Sequence, residues 1–181
     1  MFATIYLPNF YLQAAIRHQP ELRPKPVALL DDNEKRAVII QLNEPAEKVG
    51  VRTGMTPSQG LGRCLSLIVK TRAQSQEKLI DEILLHYGFT LSPYVEATAP
   101  GVCTIQFTDD QDLTSKVSRV IEQLAKCEII AQAGIAPTPD ASFLVAHLAR
   151  PVLEIEKTKE FLAPLPIETL ALTGVADPGH G

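Results

Sequence analysis

Two stretches with apolar residues at helical spacing, each bracketed by short apolar runs, constrain this chain more than any other feature. Leu79, Ile80, Ile83, Leu84 and Tyr87 fall on one helix face, and Leu113, Val117, Val120, Ile121 and Leu124 do the same. The pattern predicts a helix capped by Ser75 and running to about Tyr87, and a second from Leu113 to Lys126. Between them, Tyr94–Thr98 and Val102–Phe107 read as strands turned at Ala99-Pro100-Gly101, and Ile129–Ile135 is a further strand. A helix with a single apolar face has to lie on another apolar surface, and these strands supply it.

A short run at 3–7 (ATIYL), ended by Pro8, is the remaining strand of this unit. With it the order becomes strand, helix, strand, strand, helix, strand. That is the ferredoxin-like βαββαβ order, an α/β (α+β) fold, with an insertion after its first strand. The usual sheet of this order sets the first strand antiparallel to the third. The end of the first strand near Leu7 is then expected beside Gly101 and Val102, where a site built on the sheet would sit.

The insertion has its own pattern. Asn9 is expected to cap a helix over Phe10–His18, and PELRPKP reads as an extended loop. Val27–Leu30 and Ala37–Leu42 flank DDNEKR as a hairpin. Asn43 caps a short helix stopped by Gly50, Thr56-Pro57 opens another, and Leu67–Lys70 is a short strand. Towards the C-terminus a helix over about Asp140–Ala149 precedes a strand at Val152–Ile155.

Composition narrows the class. In 181 residues, 45% hydrophobic and 21% charged content is that of an ordinary globular protein, not of a disordered tail or coiled coil. Cys64, Cys103 and Cys127 form no C-x-x-C pair, which suits reduced thiols in a cytoplasmic protein. The four histidines (His18, His86, His147, His180) lack zinc-ligand spacing, so no metal is expected from them. No apolar run approaches the roughly 18 residues of a membrane span, and MFATIYLPNFY lacks a basic signal-peptide start. The net charge of −4 hides an asymmetry: residues 1–75 carry ten Lys/Arg against six Asp/Glu, and residues 76–181 carry seven against fifteen. Only the first part could favour a polyanion, through Arg52, Arg63, Lys70 and Arg72.

Several strings share an order and spacing: PKPVALLDD, GVRTGMTPSQGLGRC, LSPYVEATAPG, AGIAPTPDASFLVAHLA and FLAPLPIETL. Together they resemble the Y-family (DinB/UmuC-like) DNA polymerases, with details similar to the ImuB-type members: LP at the first strand, PEL before PVA, and SPYVE before a proline-glycine turn. The resemblance implies a palm begun by residues 1–8, inserted fingers at 9–74, the rest of the palm at 75–157, and the start of a thumb at 158–181, cut short.

What the resemblance implies about chemistry turns on a few positions. Active members end the first strand with an Asp and open the third with an Asp-Glu pair, so that two Mg²⁺ ions can polarise the reacting phosphate. Carried over, those positions are Leu7, Gly101 and Val102, none with an oxygen-bearing side chain, and the nearby acidic position is Asn9. A Tyr and an Arg that face the triphosphate correspond to Glu44 and Glu47, and a late palm lysine corresponds roughly to His147. In a partly buried pocket such carboxylates would repel phosphate; Glu44 and Glu47 equally suit a helix N-terminus.

The expectation is therefore a protein that is not an enzyme: a catalytically inactive Y-family-like accessory of damage-induced (SOS) translesion synthesis, without cofactor or metal. The resemblance implies DNA as a partner, bound weakly by this part, with a sliding clamp, an error-prone polymerase and a RecA-like protein engaged mainly through regions beyond it. Two other readings stay open. One is an active nucleotidyltransferase with relocated carboxylates such as Glu96; the other is a ferredoxin-like ligand-binding or oligomerising module. The clusters Asp31-Asp32 and Asp109-Asp110-Asp112 read as solvated turns, His86 as a helix C-terminal charge, and Cys64 as half-buried packing.

Overall fold

The computed structural model describes residues 1–31, 37–109, 111–166 and 169. Residues 32–36 of DDNEKR, Asp110, His180 and most of the expected thumb lie outside the described residues. The chain divides into two compact units, one made of Met1–Leu7 and the chain from Ile83 on, the other of Pro8–Glu82. These divisions fall at 7/8 and 82/83, whereas the sequence reading set palm and fingers apart at 8/9 and 74/75.

The first unit is built on strands β1 (Phe2–Tyr6), β5 (Tyr94–Ala99), β6 (Val102–Gln106), β7 (Gln132–Ala136) and β8 (Val152–Glu154), in the order β5-β6-β1-β7-β8. β1 runs antiparallel to both β6 and β7, with Phe2 opposite Gln106 and Ala136, and Tyr6 opposite Val102 and Gln132. The ferredoxin-like order expected from the helix and strand pattern is present, extended by β8 parallel to β7. Strand alternation sends Ala3, Ile5, Cys103 and Ile105 to one face, and all four are completely buried.

Helix α4 (Gln74–Leu91), in its part from Ile83 on, and α5 (Leu113–Lys126) cover that face. A methyl group on Gly88 of α4 would come within 3.1 Å of Val95 and 3.6 Å of the Cys103 sulfur, and the Tyr87 hydroxyl lies 3.8 Å from the Cys127 sulfur just past α5. The buried residues of α5 are Leu113, Val117, Val120, Ile121 and Leu124, the five chosen by periodicity.

On the other face α6 (Pro139–Leu148) lies against β7 and β1. It approaches so closely at Gly134 that any Cβ there would sit 2.2 Å from the Ala146 nitrogen and 2.4 Å from the Ser142 oxygen. Threonines line the same face. Ser142 donates to the Pro139 carbonyl (2.8 Å), so the buried Thr4 hydroxyl is the donor in its 2.8 Å bond to Ser142. Thr104 stands 3.4 Å from Thr4 and 2.7 Å from Thr98.

The second unit contains α1 (Phe10–Ile16), β2 (Val27–Leu30), β3 (Ile39–Leu42), α2 (Glu44–Lys48), α3 (Pro57–Arg63) and β4 (Ile68–Lys70). The sheet order is β3-β2-β4, with β2 antiparallel to β3 and parallel to β4. Asn43 holds it together: its side-chain oxygen accepts from Val27 N (2.9 Å) and Ala46 N (3.2 Å), and its amide donates to the Lys25 carbonyl (2.7 Å). Thr56 and Gln59 form a reciprocal capping box at α3. In GVRTGM, Gly54 has φ +83°, with open space around a Cβ, so backbone conformation alone selects glycine there. Its N–H donates to the Ile39 carbonyl (2.8 Å), which ties the loop to β3.

Several local expectations need correction. Asn9 adopts a left-handed conformation (φ 49°) and caps nothing with its side chain; its amide donates instead to the Leu42 carbonyl (3.2 Å). PELRPKP contains a 3₁₀ turn at Pro20–Leu22. α4 begins at Gln74, so Ser75 lies inside it, and it continues to Leu91. His86 is therefore more than a turn from the helix end, edge-on to Tyr87. β1 stops at Tyr6, and β7 starts at Gln132 rather than Ile129, because Ile129 closes the end of α5 through its N–H to the Leu124 carbonyl.

Candidate active site

The end of β1 is where this fold would gather a catalytic constellation. Leu7 follows the strand and its N–H donates to the Gly101 carbonyl at 2.9 Å. The Pro100-Gly101 turn makes that contact possible, since Gly101 takes φ +72°. Leu7 and Val102 are 1% and 6% exposed, and Gly101 is buried as well. The expected juxtaposition of Leu7, Gly101 and Val102 is thus present.

The chemistry of this corner is apolar. A Mg²⁺ pair requires several hard oxygen ligands. Leu7 and Val102 bring hydrocarbon, and Gly101 brings only its backbone carbonyl, which accepts from Leu7 N. Among the described residues no group of three or more His, Cys, Asp or Glu could hold a metal ion. The residues present do not fit the metal pair.

An aromatic cluster that sequence reasoning missed stands beside the corner. Tyr6, the last residue of β1, shares a face with its register partner Val102 and stacks on His147 of α6, with centroids 4.0 Å apart. Burial raises the Tyr6 phenol above its ordinary value of 10.0. His147 was expected in place of a phosphate-binding lysine. Instead Phe143 packs against it at 4.7 Å, and its Nδ1 meets the Phe143 carbonyl at 2.9 Å. A carbonyl only accepts, so Nδ1 carries the proton. Strand alternation already places Tyr6 on the face of Phe2 and Thr4; its partner could not be read, because the approach of α6 is a tertiary event.

A cation also reaches this end of the sheet. Gln132 is the register partner of Tyr6 and, with its amide oriented to satisfy both neighbours, accepts from Arg150 (3.0 Å) and donates to the Ala146 carbonyl (3.3 Å). Arg150 also donates to the Ala149 carbonyl at 2.6 Å. No sequence signal singled it out.

Glu44 and Glu47 are both exposed, not partly buried. Glu44 pairs with Lys48 at 2.6 Å, and the Lys48 hydrogen bond, then its charge, lowers the Glu44 pKa. Arg72 makes a bidentate ion pair with Glu77 (2.6 and 3.0 Å) and lies 4.2 Å over the Tyr11 ring. Arg52 donates to the carbonyls of Glu47 (2.7 Å) and Val51 (2.8 Å), while Arg63 is exposed at the end of α3 and Lys70 is half-buried on β4. Glu96 lies on the open face of β5, opposite Thr104. Ser92 anchors that strand by donating to the Gln106 carbonyl (2.6 Å) and accepting from Tyr94 N (3.2 Å), which gives the SPYVE string a structural role.

Comparison with known proteins supplies the family. The chain is 28% identical over 178 residues to DNA polymerase IV of Pectobacterium atrosepticum, covering 91% of this chain and 49% of that protein. It is 30% identical over 172 residues to DNA polymerase IV of Shewanella halifaxensis, covering 87% of this chain and 47% of that protein. The chain spans about half the length of the curated relatives it matches. The fold is shared with DinB from Sulfolobus solfataricus (TM-score 0.80, 17% identity, 99% of this chain and 54% of that one) and with an insertion ternary complex of Dbh DNA polymerase (TM-score 0.81, 17% identity, the same coverages). These relatives overturn the expectation that the protein is not an enzyme: they are named as DNA polymerases, so the absent carboxylates alone do not remove the chain from an enzyme family. With residues 5–147 matching the family model, the chain belongs to the impB/mucB/samB family, the Y-family (DinB/UmuC-like) polymerase domain.

Proposed function

We propose that this chain is the palm-and-fingers part of a protein acting in DNA repair by error-prone translesion synthesis, in an accessory capacity similar to ImuB-type members. Its Leu7–Gly101–Val102 corner is vestigial as a metal site. The observation that carries this reading is the chemistry of the corner: two buried hydrocarbon side chains and a glycine carbonyl bound to Leu7 N. In the same reading Glu44, Glu47 and His147 are vestigial nucleotide positions. The exposure of Glu44 and Glu47 and the packing of His147 against Tyr6 and Phe143 support this.

DNA is the macromolecule the named relatives act on, and it is the partner assigned here. Arg63 and Lys70 are the contacts best placed to meet phosphate, because Arg52 and Arg72 are engaged within their own unit. So few cations give affinity no tighter than the non-specific range of roughly 10⁻⁴–10⁻⁶ M at physiological salt. A sliding clamp, an error-prone polymerase and a RecA-like protein complete the assembly, in the cytoplasm and under SOS control. The palm at 1–8 and 75–157, the fingers at 9–74 and the thumb from 158 are proposed domains; the division into two compact units supports the inserted segment, not the thumb.

Deleting the gene in its host and measuring mutation frequency after DNA damage tests the role. A fall restored by the full-length gene is expected; an unchanged frequency sinks the proposal. For the corner, titrating Mn²⁺ into the isotope-labelled chain should leave the Leu7 and Val102 amide signals sharp, and selective broadening there would restore a metal site. The open-face position of Glu96 favours one further reading, relocated carboxylates. Template-directed extension by the full-length protein that is lost in Glu96→Ala would establish it.

A further inference from the structure

The layer of helices on the sheet carries a second feature that none of the polymerase chemistry uses. Between α4 and α5 runs a groove of about 270 Å³, walled by Tyr87 and Leu91 on one side and Val120 on the other, with Lys116 and Arg119 on its rim. Among the described residues no carboxylate lines it. On α5, Lys116, Arg119 and Gln123 line the groove, whereas Glu122, one helical turn on from Arg119, does not. Asp109 lies 3.9 Å from Lys116.

The charge of this groove runs against its surroundings. Residues 76–181 hold seven cations against fifteen acids, yet two of those cations stand together over an apolar floor. A polyanion such as DNA would need a longer cationic track than these two residues supply. Cofactor sites usually measure about 300–1,000 Å³ and enclose their ligand, whereas this open groove takes one or two side chains. Charge complementarity at the rim and a small apolar floor match one class of occupant.

We infer that the α4/α5 groove is a docking site for an acidic peptide segment of a partner protein. The segment inserts an aliphatic or aromatic side chain between Leu91 and Val120 and sets carboxylates against Lys116 and Arg119. The rim charges govern partner choice and encounter more than total affinity.

A random peptide library displayed on phage and panned against the full chain tests this directly. Enrichment of peptides that combine Asp or Glu with Leu, Ile or Phe is expected. Synthesised with a fluorophore, these should lose about tenfold in affinity to the double variant Lys116→Glu/Arg119→Glu, and a similar amount to Leu91→Ser. Lys157→Glu, a charge reversal on an exposed residue paired with Glu160, should bind as the parent does. Circular dichroism of each variant reports that the fold is kept. No acidic enrichment, or peptides indifferent to both groove variants, overturns the proposal. So does a single-stranded oligonucleotide whose binding, and not that of the peptides, falls with the double reversal, which would make the groove a nucleic-acid surface.

Discussion

The two compact units bury their sheets by different means. The sheet of β5-β6-β1-β7-β8 has helices on both faces, and its central strand β1 contributes Ala3, Thr4 and Ile5, all at 0% exposure. The three-stranded sheet of Pro8–Glu82 has two small apolar clusters, one around Leu12, Val27 and Leu29 and one around Ala28, Ile39 and Val51. There the loops are fixed by side chains bonding to backbone: Asn43 to Val27, Ala46 and Lys25, Gln41 to the Leu12 N–H (2.8 Å), and Gln13 to the Pro8 carbonyl (2.6 Å). A small core cannot order long connections by burial alone, so hydrogen bonds take over the task. Where packing dominates, a clash does the greatest damage; where polar clamps dominate, loss of one side chain should loosen one unit.

The largest effect is expected at Gly134. Replacing it by Val drives a side chain into the α6 backbone, with the first atom already 2.2 Å from Ala146 N. A loss of about 4 kcal/mol or more should appear in urea unfolding, or the variant should fail to fold. A near-normal midpoint would show that α6 can lift off the sheet at little cost.

Next comes the Arg72–Glu77 pair, with side chains 27% and 9% exposed. Glu77→Ala leaves the guanidinium on Tyr11 without its carboxylate and should cost about 3 kcal/mol. Hydrogen exchange should rise in β2 and β3 while β1 stays protected. Equal loosening of both sheets would erase the contrast between the units.

Asn43→Ala removes a helix cap and a strand clamp at once. About 2 kcal/mol is expected, again seen as faster exchange of the Val27 and Ala46 amides. A change confined to α2 would mean that the side chain is a cap and nothing more.

The smallest effect belongs to Glu44. Its folded pKa is lowered by Lys48, so the contribution is present above the unfolded pKa and fades as pH falls through the folded one. Both side chains are 72% exposed, and water screens them. Glu44→Gln should therefore leave the unfolding midpoint unchanged at neutral and at acidic pH. A pH-dependent difference would place this pair among the structural clamps.

The elements that could be read along the chain are those whose cause is local. Five apolar residues at helical spacing determined α5 and its buried face, and Asn43 and Thr56 announced α2 and α3 because a cap acts within three residues of itself. The strand order followed from the sequence of elements, since few topologies connect them without crossing. Where a local reading failed, a distant partner could be the cause: Asn9 has the chemistry of a cap but spends its amide on Leu42. Ser75 has cap chemistry too, yet α4 starts one residue before it.

The sequence by itself determined which side chains are available at the end of β1: Leu7, Gly101 and Val102 hold no carboxylate in any fold. Only the tertiary structure decided what those residues do. The β1–β6 register and the Gly101 turn bury Leu7 and occupy the Gly101 carbonyl, and the descent of α6 onto Gly134 brings His147 onto Tyr6. Likewise, α5 carries Lys116 and Arg119 on one side by its helical period alone, but the groove beneath them exists because α4 lies alongside. Side-chain chemistry and periodicity are local and can be read in order; proximity between residues far apart in the chain arises only when the sheet registers and the helices dock.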